Sequence, residues 1–376
     1  MTHQTKAELI GHYRKQYRRA GKKEKTDILN IVVETTGYAR KHAIALLNSP
    51  SIPAKVVKRP RMAPYAHIYD SLKRVWAAAN CICGKRLKPF LPAFLDSLKR
   101  HGEIEIAADD EALLLNASAS TIDRLLAPAR KEIKIKGRGT TKPGTVLKHQ
   151  IPIRTFADWN EDMPGFLEID LVAHCGGSAR GEYINTLTMT DVATGWTICA
   201  AFMGRSEAFC VAAIRQATPS FPFPILGIDS DNGGEFINAH LKRYCERNSI
   251  TFTRGRANKK NDSCYVEQKN WDVVRKMIGH ARLDTYEQLD ILKRIHNLLA
   301  LYQNYFQPSQ KLLSKQRNGA SVRKTYDTAQ TPAQRLGACV DAPQELNNRL
   351  RDIFHELNPA ELLRSINHLA IELSNL

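Results

Sequence analysis

The stretch "GFLEIDLVAH", residues 165–174, decides the fold of this chain. It is apolar on both faces, which is typical of a strand buried on both sides of a sheet. Asp170 nevertheless lies in its middle, although Asp is disfavoured in strands. Because an unpaired buried carboxylate is energetically costly, we expect Asp170 to be protonated, paired with a structural Arg or Lys, or bound to a cation.

The segments after this strand predict a mixed α/β domain. "YINTLTMTDVATG" (183–195) and "WTICAAFM" (196–203) have the composition of two more strands joined by a turn. Helices and strands then alternate until a long predicted helix. Three strands in a row followed by this alternation favour a mixed sheet flanked by helices. We assign this domain to residues 159–310.

A second acidic position lies in "GIDSDNGGEF", residues 227–236. Asp231 ends a predicted strand and precedes an Asn-Gly turn, at the edge of the sheet where open α/β folds place their sites. Asp229, two residues earlier, is the alternative if the strand register differs. Glu235 is better suited to the start of the next helix, where its negative charge interacts favourably with the helix dipole.

The third acid is Glu267, within a helix predicted over residues 263–279. At about 100° per residue it falls on the rim of the apolar side and faces inward. Lys269 and Lys276 fall on the far side of that helix. Arg275 could neutralise Glu267, which is the purely structural alternative.

Together these positions predict a metal site. Asp170, Asp231 and Glu267 come from two strands and a later helix, and oxygen ligands of this kind suit Mg²⁺ or Mn²⁺. Two such ions about 4 Å apart can hold the attacking and leaving oxygens of a phosphodiester.

Three motifs resemble the catalytic core of the DDE integrase and transposase superfamily, which includes retroviral integrases and bacterial insertion-sequence transposases. They are "EIDLV" (168–172), "DSDNGGEF" (229–236) and "NDSCYVEQKNW" (261–271). Asp231 and Glu267 are separated by 35 residues, the spacing for which this group is known. The resemblance places Asp170, Asp231 and Glu267 at the three metal-binding positions of the family.

The resemblance implies an RNase H-like catalytic core that uses two Mg²⁺ or Mn²⁺ ions. It also implies cleavage at transposon ends to free a 3′-OH, followed by attack of that 3′-OH on target DNA. Paired-end chemistry favours a homodimer or higher oligomer on double-stranded DNA. Two alternatives stay open: a related metal nuclease that cuts without joining, and a domesticated sequence-specific DNA-binding protein without catalysis.

The N-terminal part of the chain carries the charge expected of a DNA-binding region. Residues 1–150 contain 29 Lys and Arg against 13 Asp and Glu, a net charge of +16, whereas the whole chain has +17. An excess confined to one region indicates a polyanion partner, of which nucleic acid is the commonest.

Two helix-turn-helix units are predicted in this basic region. Residues 25–48 have Arg40, Lys41 and His42 near the start of their second helix, where base and phosphate contacts occur in such motifs. Residues 109–133 repeat the pattern, with a helix ending near Asn116, a cap at Ser120, and polar side chains that include Thr121 and Arg124. Any two-helix hairpin can give either pattern, so an ordinary structural role stays open for each.

Further DNA contacts are predicted near the third acid. The loop "TRGRANKKND" (253–262) is strongly basic and is suited to hold phosphates, although a solvated basic loop would have the same composition. The candidates here and on the following helix are Arg254, Arg256, Lys259, Lys260, Asn270 and Arg275.

The sequence predicts five segments along the chain. The domain boundaries are 1–58 (helix-turn-helix with basic linker), 59–135 (second helix-turn-helix-like domain), 136–158 (linker), 159–310 (catalytic core) and 311–376 (small C-terminal region, a short β stretch and then helices).

No apolar run approaches the roughly 18 residues of a membrane span, and the first residues lack the apolar stretch of a signal peptide. We therefore expect a bacterial cytoplasmic, nucleoid-associated protein without a membrane partner. Its eight scattered cysteines indicate neither disulfides nor zinc.

Overall fold

The computed structural model describes residues 2–49, 65–132, 163–204, 206–230, 236, 238–254, 266, 269–318 and 321–376. The chain divides into two compact units, Met1–Pro64 and Tyr65–Leu376. No helix in the described ranges is long and apolar enough to span a membrane.

In the N-terminal unit, residues 2–49 form a bundle of three helices: α1 (His3–Arg19), α2 (Lys22–Thr36) and α3 (Arg40–Asn48). The predicted break between α2 and α3 is confirmed, because α2 ends at Gly37 with a φ of 69°. Glycine adopts this left-handed conformation without the penalty of a Cβ atom. Val32, Ala43 and Leu47 are fully buried in the small core of the bundle.

The second unit contains the predicted mixed sheet. Its strands are β1 (Phe166–Ala173), β2 (Ile184–Asp191), β3 (Thr197–Met203), β4 (Gly227–Ser230) and β5 (Thr251–Arg254). Their order is β3-β2-β1-β4-β5. The pairs β1–β2 and β2–β3 are antiparallel, and β1–β4 and β4–β5 are parallel. The fold class predicted for the core, a mixed sheet flanked by helices, is confirmed.

Helices surround this sheet. In the described range 65–132, five precede it: α4 (Tyr69–Ala78), α5 (Gly84–Arg100), α6 (Ala108–Asn116), α7 (Ala119–Leu125) and α8 (Ala127–Glu132). Within and after it lie α9 (Glu207–Ala217), α10 (Ala239–Arg247), a π-helical segment (Asn270–Arg275), α11 (Lys276–Ile278), α12 (Tyr286–Phe306), α13 (Pro332–Gly337), α14 (Gln344–Glu356) and α15 (Pro359–Asn375). A separate two-stranded ribbon consists of β6 (Leu312–Asn318) and β7 (Ser321–Tyr326). After residue 311 the described chain thus contains this ribbon and then the helices α13, α14 and α15.

The long helix α12 covers the edge of the sheet. The Asn304 amide on α12 accepts a hydrogen bond from Thr197 N at 2.8 Å and donates one to Thr197 O at 2.9 Å. Both main-chain groups belong to β3, which lies at one edge of the described sheet. Because an unpaired edge strand is a template for unwanted pairing, a side chain that occupies its main-chain groups protects the sheet.

The helical region before the sheet packs directly on α12. Tyr302 Oη on α12 donates to Ala78 O at 2.6 Å, and Gln307 Nε2 donates to Ala79 O at 3.1 Å. Residues 65–132 thus share one compact unit with the sheet. The finer domain boundaries given above stay a prediction.

One local prediction in this region is wrong. Helix α6 ends at Asn116 as expected, but the cap of α7 is Ser118, whose Oγ accepts from Thr121 N at 3.2 Å. The helix therefore begins two residues before the position that a cap at Ser120 would give. Both serines have the side chain that a cap needs, so composition alone could not choose between them.

Candidate active site

Asp170 lies half-buried on β1, the central strand of the sheet. Its Oδ2 accepts a hydrogen bond from Asn270 Nδ2 at 2.5 Å, and its Oδ1 accepts one from Leu171 N at 2.8 Å. An amide donor orients a carboxylate without neutralising it. Asn270, predicted as a DNA contact, is therefore bonded to the central carboxylate of the sheet.

Two further acids lie beside Asp170. Glu168 and Asp229 are each only 1% exposed and are register partners in the parallel ladder between β1 and β4. Because side chains alternate along a strand, Glu168, Asp170 and Asp229 share one face of the sheet. Asp229 Oδ1 accepts from Thr253 Oγ1 at 2.5 Å.

Glu168 has a contact that the sequence did not reveal. Its Oε2 accepts a hydrogen bond from Val266 N at 3.0 Å, and Val266 is fully buried. Only its spacing of two residues from Asp170 on a strand could have indicated this role. Val266 directly precedes Glu267 in the sequence. The bond between Val266 N and Glu168 Oε2 therefore attaches the residue before Glu267 to β1.

The helix after Glu267 is not a regular α-helix. Residues Asn270–Arg275 are π-helical, a rare form that is frequent at functional sites. Val273 and Val274 are buried, so the predicted apolar side faces the core. A π-helical turn contains more residues than an α-helical one, so a rotation of 100° per residue is wrong for this segment.

The far side of this helix contacts the turn between α4 and α5. Lys276 Nζ donates to Asn80 O at 2.7 Å, and burial lowers the pKa of Lys276. Asp272 pairs with Arg86 of α5 at 3.5 Å. Burial, reinforced by the charge of Arg86, lowers the pKa of Lys269 to about 8. The region before the sheet thus holds the helix that follows Glu267.

Two predicted DNA contacts of the core are used within the fold. Arg275 donates from Nη2 to Ala173 O at 2.8 Å and from Nη1 to Gly279 O at 3.3 Å. It therefore links the end of β1 to the turn after α11. Arg254 ends β5 and is only 7% exposed. Neither side chain is freely presented at the surface.

The predicted contacts on α3 are at the surface of the N-terminal unit. Arg40, Lys41 and His42 are all exposed in the first turn of this helix. Arg40 Nη1 donates to Asn30 Oδ1 at 2.6 Å, and the His42 ring meets Tyr38 edge-on at 4.9 Å between centroids. In the second unit, Arg124 is exposed and Thr121 is half-buried.

A neutral histidine pair lies beyond the end of β1. His174 Nε2 lies 2.9 Å from Thr186 Oγ1, which lies 3.4 Å from His296 Nε2. Both rings are almost completely buried. Burial lowers the pKa of each to about 3, with Arg275 adding to the effect at His174. The pair therefore adds no positive charge to the site near neutral pH.

The other predicted site residues lie outside the described residues. They are Asp231, Arg256, Lys259, Lys260 and Glu267. Within the described ranges, no group of three or more His, Cys, Asp or Glu side chains could hold a metal ion. Of the three predicted metal ligands, the structure thus describes Asp170 alone.

Comparison with known proteins identifies the family. Residues 161–260 match the integrase core domain family. The chain is 38% identical over 337 residues to the "Uncharacterized protein y4rM" of Sinorhizobium fredii (strain NBRC 101917 / NGR234). The aligned residues make up 89% of this chain and 95% of that protein.

Two solved structures are also similar in part. The HTLV-2 integrase catalytic core domain, in complex with magnesium and in a dimeric form, has 16% identity, a TM-score of 0.30, and coverage of 39% of this chain and 91% of that one. The BIV integrase catalytic core domain has 15% identity, a TM-score of 0.31, and coverage of 45% and 91%. From its integrase core domain and its near full-length relative, the chain belongs to the DDE integrase and transposase superfamily.

Proposed function

We propose that this protein is the DNA transposase of an insertion sequence. It binds transposon ends and catalyses metal-dependent phosphodiester hydrolysis, followed by 3′-OH strand transfer into target DNA. Asp170, Asp231 and Glu267 are the proposed catalytic residues and hold two Mg²⁺ or Mn²⁺ ions.

The observation that carries this proposal is the attachment of both flanks of Glu267 to β1. Val266, directly before it, donates to Glu168, and Asn270, three residues after it, donates to Asp170. Glu168 and Asp170 are neighbours on one face of β1. These bonds from the described residues before and after Glu267 in the sequence support its assignment as the third ligand.

A second attachment supports the assignment of Asp231. Ser230, the last residue of β4, is paired with Ile169, which directly precedes Asp170. Asp231 is the next residue in the chain, and neighbouring Cα atoms are about 3.8 Å apart. The pairing of Ser230, directly before Asp231 in the sequence, with the residue directly before Asp170 supports Asp231 as the second ligand.

The donor chemistry fits the proposed ions. Two aspartates and a glutamate are hard oxygen ligands, which Mg²⁺ and Mn²⁺ prefer. When bound, such ions activate the attacking oxygen and stabilise charge on the phosphate. Asn270 orients the Asp170 carboxylate through Oδ2 while leaving its negative charge in place.

The N-terminal unit supplies the proposed recognition of DNA. Arg40, Lys41 and His42 are exposed on one turn of α3, as a recognition helix requires. Because two transposon ends must be joined to one target, we propose a homodimer or larger assembly on double-stranded DNA. The proposed place of action is the nucleoid in the bacterial cytoplasm.

A strand-transfer assay tests the function. Labelled duplexes carrying the inverted repeats that flank the gene are incubated with the protein, target plasmid and Mg²⁺. Joined product supports the transposase, cleavage without joining indicates a metal nuclease, and binding alone indicates a DNA-binding protein without catalysis. Asp170→Asn should abolish joining and cleavage. Asp290→Asn, at a carboxylate that is 77% exposed on α12, is the matched control and should leave both intact.

A further inference from the structure

The ribbon of β6 and β7 stands apart from the five-stranded sheet. Residues 313–317 and 322–326 are exposed without interruption. Since side chains alternate along a strand, both faces of the ribbon are open to solvent. Leu313 is 66% exposed and Tyr326 is 45% exposed, so the ribbon contributes little to the core.

The charge of the ribbon has one sign. Lys315, Arg317, Arg323 and Lys324 are exposed, and no Asp or Glu occurs in the sequence from residue 312 to residue 326. Lys315 lies directly opposite Lys324 in the antiparallel register. Like charges at opposed positions destabilise a strand pair. The free ribbon therefore keeps an unfavourable arrangement that a polyanion would relieve.

The base of the ribbon, in contrast, is firmly held. Asp327 Oδ1 accepts from Lys311 N at 2.6 Å, and its Oδ2 pairs with Arg335 at 2.7 Å. Lys311 Nζ also donates to Ala193 O in the turn between β2 and β3. An isolated two-stranded hairpin is marginally stable in water. The Asp327 contacts join the two ends of the ribbon to α13, and the Lys311–Ala193 bond attaches its base to the five-stranded sheet.

We propose that this ribbon is a DNA-binding arm that contacts the phosphates of duplex DNA, in addition to the helical units. The inference rests on the proposed function in taking DNA as the partner. A two-stranded ribbon fits the major groove, and strands of this length extend about 20 Å. Its four cations would face several phosphates, since duplex DNA carries about one charge per 1.7 Å of axis.

A second copy of the chain fits this surface less well. Pairing of two ribbons along their edges would bring two sets of cations together, because the sequence of the ribbon contains no Asp or Glu. Lysines on an exposed strand edge in fact oppose such pairing. Charge complementarity therefore selects DNA as the occupant.

The test measures binding without catalysis. Four substitutions remove the ribbon charges: Lys315→Gln, Arg317→Gln, Arg323→Gln and Lys324→Gln. A control with the same change in charge on exposed positions of α12 and α14 carries Lys293→Gln, Arg294→Gln, Arg349→Gln and Arg351→Gln. Both sets are made in the full chain with Asp170→Asn, and affinity for a labelled duplex of arbitrary sequence is measured over a range of salt concentrations.

The ribbon variant should bind at least about tenfold more weakly near physiological salt, and the slope of log affinity against log salt should fall by about 3 to 4. In the control variant, the affinity for the duplex and the slope against salt should both fall much less. Equal losses in the two variants, or an unchanged slope in the ribbon variant, would overturn the proposal. So would a change in oligomeric state with unchanged DNA affinity. Because the substituted chains cannot cut, failure of the ribbon is distinguished from failure of the catalytic assignment, which strand transfer by the wild-type protein reports.

Discussion

Glu168→Ala should separate the positioning of the catalytic helix from the stability of the fold. The substitution removes the acceptor of the 3.0 Å bond from Val266 N and leaves that N–H buried beside a fully buried side chain. A buried N–H left without its acceptor costs about 1 to 3 kcal/mol, so the free energy of unfolding should fall by about this amount.

The effect on activity should be larger than the effect on folding. Val266 directly precedes Glu267, and displacement of a catalytic group by about 1 Å can cost about a hundredfold in rate. We expect Glu168→Ala to lower strand transfer by about this factor. Glu168→Gln keeps an oxygen acceptor at the same distance along the side chain and should retain most of the activity.

The assay combines urea unfolding with strand transfer at saturating DNA and Mg²⁺. Rates are expressed per folded molecule, so that lost stability is not counted as lost catalysis. If Glu168→Ala transferred strands at the wild-type rate per folded molecule, the bond to Val266 would not position Glu267 and the reasoning would be refuted.

Two further predictions concern packing and pH. In Gly84→Ala the new Cβ would collide with the backbone oxygen of Ala119, so urea unfolding should show a loss of about 1 to 3 kcal/mol or more; Gly177→Ala, with nothing within 4 Å, is the control and should lose far less. Burial lowers the pKa values of His174 and His296 to about 3 from an ordinary 6.5, so below about pH 6.5 the unfolded chain binds protons that the native chain does not. The free energy of unfolding is therefore unaffected by protonation of these two histidines above pH 6.5. As the pH falls from 6.5 toward 3, each histidine lowers the free energy of unfolding by about 1.4 kcal/mol per pH unit. His296→Gln should flatten this dependence in urea unfolding measured from pH 8 to about pH 4, and an unchanged dependence would contradict the assignment.

The sequence predicted the sheet because its signals are local. The strands around Asp170 alternate or are continuously apolar, and Gly37 has no side chain to prevent a left-handed helix end. Such signals depend on a few neighbouring residues and need no knowledge of tertiary contacts. The mixed sheet and most helices were predictable for this reason.

The surroundings of the site were not predictable to the same degree. The packing of Lys276 against Asn80 joins residues 196 positions apart. From the sequence Asn270 was predicted to contact DNA, but in the fold its side-chain amide donates a hydrogen bond to Asp170. The π-helical form of this segment depends on tertiary packing. Sequence periodicity contains none of this information, so the contacts of Asp170 and Asn270 could not be predicted from it.

The most direct test of the central claim compares two acids that lie close together in the sequence. Strand transfer in Mg²⁺ is measured for Asp231→Asn and Asp229→Asn at equal concentrations of folded protein. The account predicts that Asp231→Asn yields no joined product, whereas Asp229→Asn, at a buried carboxylate bonded to Thr253, still joins strands. Full strand transfer by Asp231→Asn, or its loss in Asp229→Asn alone, would contradict the proposed metal site.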